Sequence, residues 1–386
     1  MNERYWGEPH SLFSLSFAVW FIAEILFNTT LGDVLPVNLD RISSMMDCIV
    51  FLLLLIQIAF FQVYSHRELL SILLVTLPIA ASTVLSGSVR IMGTWMFIVA
   101  FKYTDLDGII AMAYRILRMM IPAIVFLCLI GLLPDAFNYR FGVLRHAMGF
   151  NHPNYFGMKI FQFSACYVYL HWHSLKKGDG VRAVLVLAFL YFIPHSVTSI
   201  LCTAVLFLLT IAGRFLQAKK RALLQVFETA LMLSAVLCIA GTVLLTIYGM
   251  NFPLGQALDA WMSYRFSHAK QIYAVYKISL FGQSISSGYL LDSGYMDLIL
   301  RSGLLVYLLF FAGYIGNMSY HKNNPALYLL LCTFGFYGIM EYGVYLIARN
   351  LFLLSFADIL YSRRKKQKEN IFSGKIRGAG TKEKRE

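Results

Sequence analysis

Two short stretches of the chain carry side chains suited to gripping an anion. The first is Arg145-His146-Ala147-Met148-Gly149-Phe150-Asn151-His152-Pro153-Asn154, with Arg140 just upstream. The second is Tyr264-Arg265-Phe266-Ser267-His268-Ala269-Lys270. A planar, permanently charged guanidinium binds phosphate oxygens through paired N–H donors, which Lys cannot reproduce. Charge that develops in a transition state is stabilised by such directed donors, usually as the largest catalytic term. His152, His268, Asp292 and, deeper, Glu341 supply candidates for a general base that would activate an attacking hydroxyl. Gly149 frees the turn to bring backbone close to a ligand. Asn151-His152-Pro153-Asn154 also reads as a helix start, a polar cap followed by Pro in the first turn. That accounts for Asn and Pro but not for His152, Arg140, Arg145 and His146. Neither stretch contains an Asp-x-Asp pair or a close His pair with a carboxylate. No metal and no cofactor is therefore expected, and cations must do the work a divalent ion does elsewhere.

The elements that must position these residues follow from composition. Hydrophobic residues make up 59% of the 386 and charged residues only 14%. A water-soluble domain of this length cannot hide so much apolar surface, so the bilayer must solvate much of it. Continuous Leu/Ile/Phe-rich runs recur at the length a helix needs to cross about 30 Å of hydrocarbon. They lack barrel-like alternation, so the expected fold class is all-α, polytopic and membrane-embedded. The formal net charge is +13, of which the segment 362–386, with ten Lys/Arg against three Asp/Glu, carries +7. Arg363-Arg364-Lys365-Lys366 reads as a positive-inside anchor on anionic lipid. Nucleic acid is a poor partner for this tail, which has no aromatic interleaving. The six cysteines all fall in apolar runs without a CxxC pair and read as small core residues. Met1 to His10 is polar and no cleavage pattern follows the first apolar run, so that run is expected to remain as a span.

Twelve spans are expected, near 11–28, 43–64, 69–86, 91–101, a fifth ending about 133, 154–171, 183–193, 199–212, 223–248, 294–315, 326–342 and 345–361. The fourth and seventh are short. An interfacial amphipathic helix with Arg115 and Arg118 precedes the fifth. The seventh and eighth meet at Pro194-His195-Ser196-Val197-Thr198, a polar break suited to a notch lining a cavity. With both termini cytoplasmic, the strong basic clusters fall inside. The organisation is then one transmembrane domain, 1–361, and a basic cytoplasmic tail, 362–386. The loops 134–153 and 249–291 face outward and form the site.

Arginines concentrated in outer loops need an anionic ligand, and a lipid phosphate is the most economical one. Trp261 to Gly282 reads as an amphipathic surface helix on which Arg265 and His268 share a face. The same pattern also suits an interfacial anchor whose Arg265, Lys270 and Lys277 touch headgroups. Tyr264 and Tyr289 could stack on sugar rings, although Tyr is ordinary at interfaces. Within spans, Lys159 could snorkel or line a cavity, Asp297 and Arg301 could neutralise each other, and Glu341 and Arg349 flank the last outer turn. Internal pairing is the favoured reading for these.

Arg145 followed by Gly149-Phe150-x-His152-Pro153-Asn154-x-x-Gly157 at the entrance to a span resembles the Wzy-type polymerases of bacterial O-antigen and capsular polysaccharide. A second matching stretch comprises Arg265, Phe281-Gly282, Asp292 and Gly303. The sequence-specific part covers some thirty residues, and the order of spans and loops covers nearly the whole chain. The resemblance implies a GT-C-like, metal-independent glycosyltransferase of the bacterial cytoplasmic membrane, related to the O-antigen ligases. Its donor and acceptor would be oligosaccharide repeat units on undecaprenyl pyrophosphate. Arg145 and Arg265 would hold the pyrophosphate, with a chain-length regulator and a flippase as protein partners. Two other readings use the same residues. A ligase would pass finished glycan to another acceptor. A lipid-linked oligosaccharide flippase is disfavoured by the long outer loop and by the lack of paired halves with matching broken helices.

Overall fold

The computed structural model describes residues 9–361 except 37, 141, 220, 287 and 290. The polar start and the basic tail lie outside the described residues. The chain is all-α apart from one small hairpin. Its first helices are α1 (Pro9–Phe27), the short α2 (Leu31–Val34), α3 (Leu39–Phe60), α4 (His66–Ser86), α5 (Arg90–Ala100) and α6 (Leu106–Leu129). The hairpin of β1 (Asn138–Arg140) and β2 (Val143–Arg145) follows. Then come α7 (Pro153–His171), α8 (Lys177–Phe192), α9 (Val197–Lys219), α10 (Arg221–Ile247), α11 (Pro253–Trp261) and α12 (Arg265–Val275). The last elements are α13 (Gly294–Asp297), a π-helical turn over Leu298–Ser302, α14 (Gly303–Tyr320), α15 (Pro325–Met340) and α16 (Phe356–Leu360).

Six of these segments are long and apolar enough to cross a membrane: Leu39–Phe60, His66–Ser86, Leu106–Leu129, Val197–Gln217, Ala222–Ile247 and Gly294–Tyr320. Their outer surfaces are apolar too, with Phe60 and Val84 each 80% exposed. Water would not tolerate a wall of this kind, whereas lipid does. At the centre lie α7 and α15, buried nearly all round and packed on each other and on α9.

Local sequence sets the helix ends. Ser65 and Glu68 form a reciprocal capping box at the start of α4, which Gly87 ends in the left-handed region. Asp105 accepts the Gly108 N–H to start α6, and Asn324 with Pro325 starts α15. Successive long helices alternate in direction, so the connections gather at two ends. At one end, Thr30 bonds Gly149 and Asn151 bonds Asn28. At the other, the Gln62 amide donates to Ala100 O, the buried Lys102 pairs with Glu68 at 2.9 Å, and Tyr361 donates to Val99 O.

Four local expectations change. The segment 102–118 is no separate interfacial helix, because α6 is continuous from Leu106 and carries Arg115 and Arg118 on its exposed side. Near Pro194, only the helix before the break is short, since α9 runs on to Lys219. Trp261–Gly282 is broken into α11 and α12, and the chain is extended beyond Tyr276. Finally, 345–361 is not a regular span. Residues 341–350 form turns, held by the buried Asn350, whose amide donates to Val344 O at 3.3 Å while its oxygen accepts the Phe352 N–H at 3.2 Å. Irregular backbone at this depth is tolerated because protein surrounds it.

Candidate functional site

The hairpin ends on Arg145, paired in register with Asn138. Arg145 is 3% exposed, and its guanidinium makes contacts with the start of α7 and the Pro194 break. Nε donates to Pro194 O at 3.1 Å, and a terminal nitrogen donates to the Asn154 side-chain oxygen. Asn154 stands in the first turn of α7 and passes the contact on, its Nδ2 donating to Glu341 Oε1 at 3.3 Å. Glu341 ends α15, where the helix gives way to the irregular segment. The same Oε1 accepts from Arg265 Nη2 at 3.3 Å.

Arg265 arrives by a different device. Ser263 and Tyr264 both have positive φ, 59° and 62°, and this sharp turn separates α11 from α12. The buried Asp259 of α11 accepts the Phe266 N–H at 2.8 Å, the Ser267 N–H at 3.2 Å and the Ser267 hydroxyl. It caps α12 from outside and fixes Arg265 at the helix start. Arg265 is 8% exposed, and its Nη1 is buried without a hydrogen-bond partner among the described residues.

The structure thus brings Arg145 and Arg265, distant in sequence, to one place. A small cavity of about 120 Å³ lies there, lined by Arg140, Asn154, Thr198, Ser263 and Arg265 among others. Thr198 belongs to the polar break after Pro194, so that notch does line a cavity. Burial pushes the Arg145 pKa below its usual value, as does repulsion from Arg140 and Arg265, while Glu341 opposes the shift. An arginine remains cationic through such shifts. Arg265 and, through Asn154, Arg145 thus share the buried Glu341 carboxylate.

His152 caps α7, with Nδ1 accepting the Asn154 N–H at 3.0 Å. A neutral ring with Nδ1 so engaged carries its proton on Nε2, so it offers a donor and not a base. Burial lowers the His152 pKa, and the charge of Arg145 lowers it further. Asp292 is exposed and lies within electrostatic reach of both His152 and Glu341. It is better placed than His152 to accept a proton.

The remaining candidates have other surroundings. His146 Nδ1 lies 2.6 Å from Asp135, whose second oxygen accepts the Ala147 and Met148 N–H groups, so this pair braces the loop. Gly149, at φ +86°, approaches α6 and not the cavity, for a methyl there would stand 3.1 Å from Ile124 O. Lys270 donates to Asn251 at 2.9 Å, tying α12 to the turn after α10. His268 and Tyr264 are exposed. Tyr289 is exposed too and meets Tyr276 edge-on at 5.4 Å between ring centres.

Lys159, Arg301 and Arg349, the basic residues expected within spans to pair internally, do so. Lys159 donates to Glu24 at 2.8 Å, Arg301 to Asp297 at 3.1 Å and Arg349 to the Tyr342 hydroxyl at 2.8 Å. Glu24 and Arg349 also line a second cavity, of about 450 Å³, with Trp20, Asp47, Asn151 and Tyr342. Tyr342 and residues 346–349 of the irregular segment line it, but Glu341 does not. Sequence reading missed Glu24, Asp47 and Asp259. A carboxylate inside an apolar run is the signal that could have found them.

Phe281-Gly282 and Gly303 meet directly. Both glycines have φ +90°, and a methyl on Gly303 would stand 2.2 Å from Gly282 N. The extended segment re-enters so that the Ser279 and Leu280 carbonyls accept the Leu304 and Leu305 N–H groups at 2.9 and 3.1 Å. These are orphan donors of the first turn of α14, satisfied by chain and not by a ligand. No protein-family model, no curated protein and no solved structure matches the chain.

Proposed function

We propose that this chain is a glycosyltransferase of the bacterial cytoplasmic membrane that polymerises lipid-linked oligosaccharide repeat units on the outer face, with both termini cytoplasmic. The observation that carries the reading is the convergence of Arg145 and Arg265 on the buried carboxylate of Glu341, at a cavity that Arg140 also lines and beside an Arg265 nitrogen with no hydrogen-bond partner among the described residues. Such a cluster suits a pyrophosphate, whose negative charge grows as the glycosidic bond breaks. The donor would be a glycan on undecaprenyl pyrophosphate and the acceptor one repeat unit on a second carrier.

In this reading Glu341 is the resident counter-ion. The incoming pyrophosphate displaces it from Arg265, and Asn154 keeps Arg145 aligned. The acceptor hydroxyl attacks the anomeric carbon, the bond to the pyrophosphate oxygen breaks, and the hydroxyl proton passes to a base, for which Asp292 is the candidate. The cavity is too small for a glycan, so the sugars would lie outside it, toward Tyr264 and His268. A GT-C-like arrangement of twelve membrane passages belongs to the same proposal, the irregular segment 341–361 counting as the last.

A glycan ligase would use the same arginines and the same leaving group. Lipid analysis of a deletion strain separates the two. Polymerase loss leaves single repeat units displayed outside, and ligase loss leaves long chains on the carrier lipid. Repeat units trapped inside would instead indicate a flippase and overturn the transferase reading.

A further inference from the structure

A large cleft lies toward the end opposite the arginine cluster. Its volume is about 640 Å³, and it opens between α6, α7, α8 and α9. Its walls are of two kinds. Phe163, Val186, Phe207 and Ile211 make one part apolar, while Arg118, Lys176, Arg182 and Arg214 make the other strongly basic. The only acid in the lining, Asp179, is already engaged, pairing with Arg182 at 2.8 Å and accepting the Lys176 N–H at 2.7 Å. Arg214 spends one N–H on Leu175 O at 2.8 Å. Arg118 is exposed and makes no hydrogen bond or ion pair among the described residues.

The depth of Arg118 matters. It stands about three turns in from Leu106 along α6, one turn beyond Tyr114, which stacks on Phe163 of α7 at 4.9 Å. A cation at that depth on a lipid-facing helix is costly without an anion or a path to water. The buried Lys159 of α7 has a carboxylate partner in Glu24, whereas Arg118 has no partner among the described residues. A narrow apolar slot leading to a surplus of cations matches one kind of occupant, a lipid with an acyl chain and an anionic phosphodiester headgroup.

We infer that this cleft is a binding site for an anionic glycerophospholipid. One acyl chain lies between Phe163, Val186, Phe207 and Ile211, and the phosphate meets Arg118, Lys176 and Arg214. The site is separate from the arginine cluster and does not depend on the proposed transfer reaction.

Native mass spectrometry of the full chain tests this, with phosphatidylglycerol and phosphatidylcholine of identical acyl chains added in detergent. Phosphatidylglycerol should be retained preferentially. The double variant Arg118→Gln/Lys176→Gln should lower its retention by roughly tenfold or more, as loss of two cations near a phosphate implies. The charge-matched control Arg67→Gln/Lys322→Gln, at the same end but outside the cleft, should leave retention unchanged. Val186→Trp keeps every charge and fills the slot, so it should also expel the lipid. Millimolar inorganic phosphate should not displace it. Equal loss in cleft and control variants, no headgroup preference, full retention in Val186→Trp, or displacement by phosphate would each overturn the proposal.

Discussion

Arg265 and Glu341, 76 positions apart, share a hydrogen bond of 3.3 Å in which both side chains are about nine-tenths buried. Through the same carboxylate oxygen Glu341 also holds Asn154, and through it Arg145. One carboxylate therefore fixes two guanidiniums brought in by a hairpin and a helix start. Removing it should strand buried positive charge. Breaking a buried pair from one side costs about 3–5 kcal/mol. Glu341→Ala should accordingly lower the thermal unfolding midpoint in detergent far more than Glu341→Gln, which still offers an oxygen to Arg265 and Asn154. Equal midpoints for the two variants would show that the hydrogen-bonding oxygen at 341 does not help hold the cluster once the charge is gone.

Arg145→Lys keeps a cation but loses the fork that spans Pro194 O and Asn154. An ammonium cannot reach both acceptors and a ligand in one plane. Elongation of lipid-linked repeat units should fall by roughly 100-fold or more, the scale seen when one directed donor to a developing oxyanion is lost. The substrate concentration for half-maximal rate should change less. A variant within a few-fold of wild type would remove Arg145 from the anion site.

Much of the bundle was legible because lipid leaves a chain few choices: apolar runs of sufficient length become helices. Charge pairing inside the spans was legible for the same reason, as Asp297 with Arg301 illustrates. Less legible were places where side chains overrule local pattern. Nothing in Trp261–Gly282 announces that Asp259 will capture the Phe266 and Ser267 N–H groups and break the helix at Tyr264. Likewise Asn350 holds the 341–350 turns through contacts with no short-range signature. At the site, the residue types in the two basic stretches were visible. Their division was not, because His146, Lys270 and Gly149 make structural contacts that only the fold supplies.

Gly282 and Gly303 test the re-entrant segment. A methyl on Gly282 would stand 2.3 Å from Arg301 O, at a φ that side chains rarely adopt. Gly282→Ala and Gly303→Ala should each cost roughly 3 kcal/mol or more, combining strain with backbone collision. Gly87→Ala serves as control, since φ there is also positive but nothing lies within 4 Å of the added methyl. It should cost only about 1 kcal/mol. Folded yield and unfolding midpoint measure the contrast, and similar losses at all three positions would refute the close approach.

Activity should persist in excess EDTA. The argument rests on donor sets: among the described residues no group of three His, Cys, Asp or Glu side chains could hold a metal ion. Arg140, Arg145 and Arg265 would neutralise the pyrophosphate instead. Purified protein stripped of divalent ions should elongate glycan at an unchanged rate. Complete loss, restored by magnesium or manganese, would overturn this division of labour.

The pH dependence of His152 has a definite sign. Burial and the charge of Arg145 lower its pKa from 6.5, so the folded protein resists protonating it. A lowered imidazole pKa gives stability that is intact above the unfolded value and lost as pH falls through it toward the folded value. Activity should follow, staying flat from about pH 8 to about pH 6.5, with the acid limb below that. Because Nδ1 caps the Asn154 N–H, the neutral ring works as a donor through Nε2. His152→Ala should then lower the rate between about pH 6.5 and about pH 8 and abolish this low-lying limb, and His152→Gln, which can still donate, should recover part of the rate. Pyrophosphate-linked elongation measured from pH 5 to 8 for the three proteins decides the point. An acid limb at or above pH 6.5 that disappears in His152→Ala would make His152 the base, and would withdraw that role from Asp292.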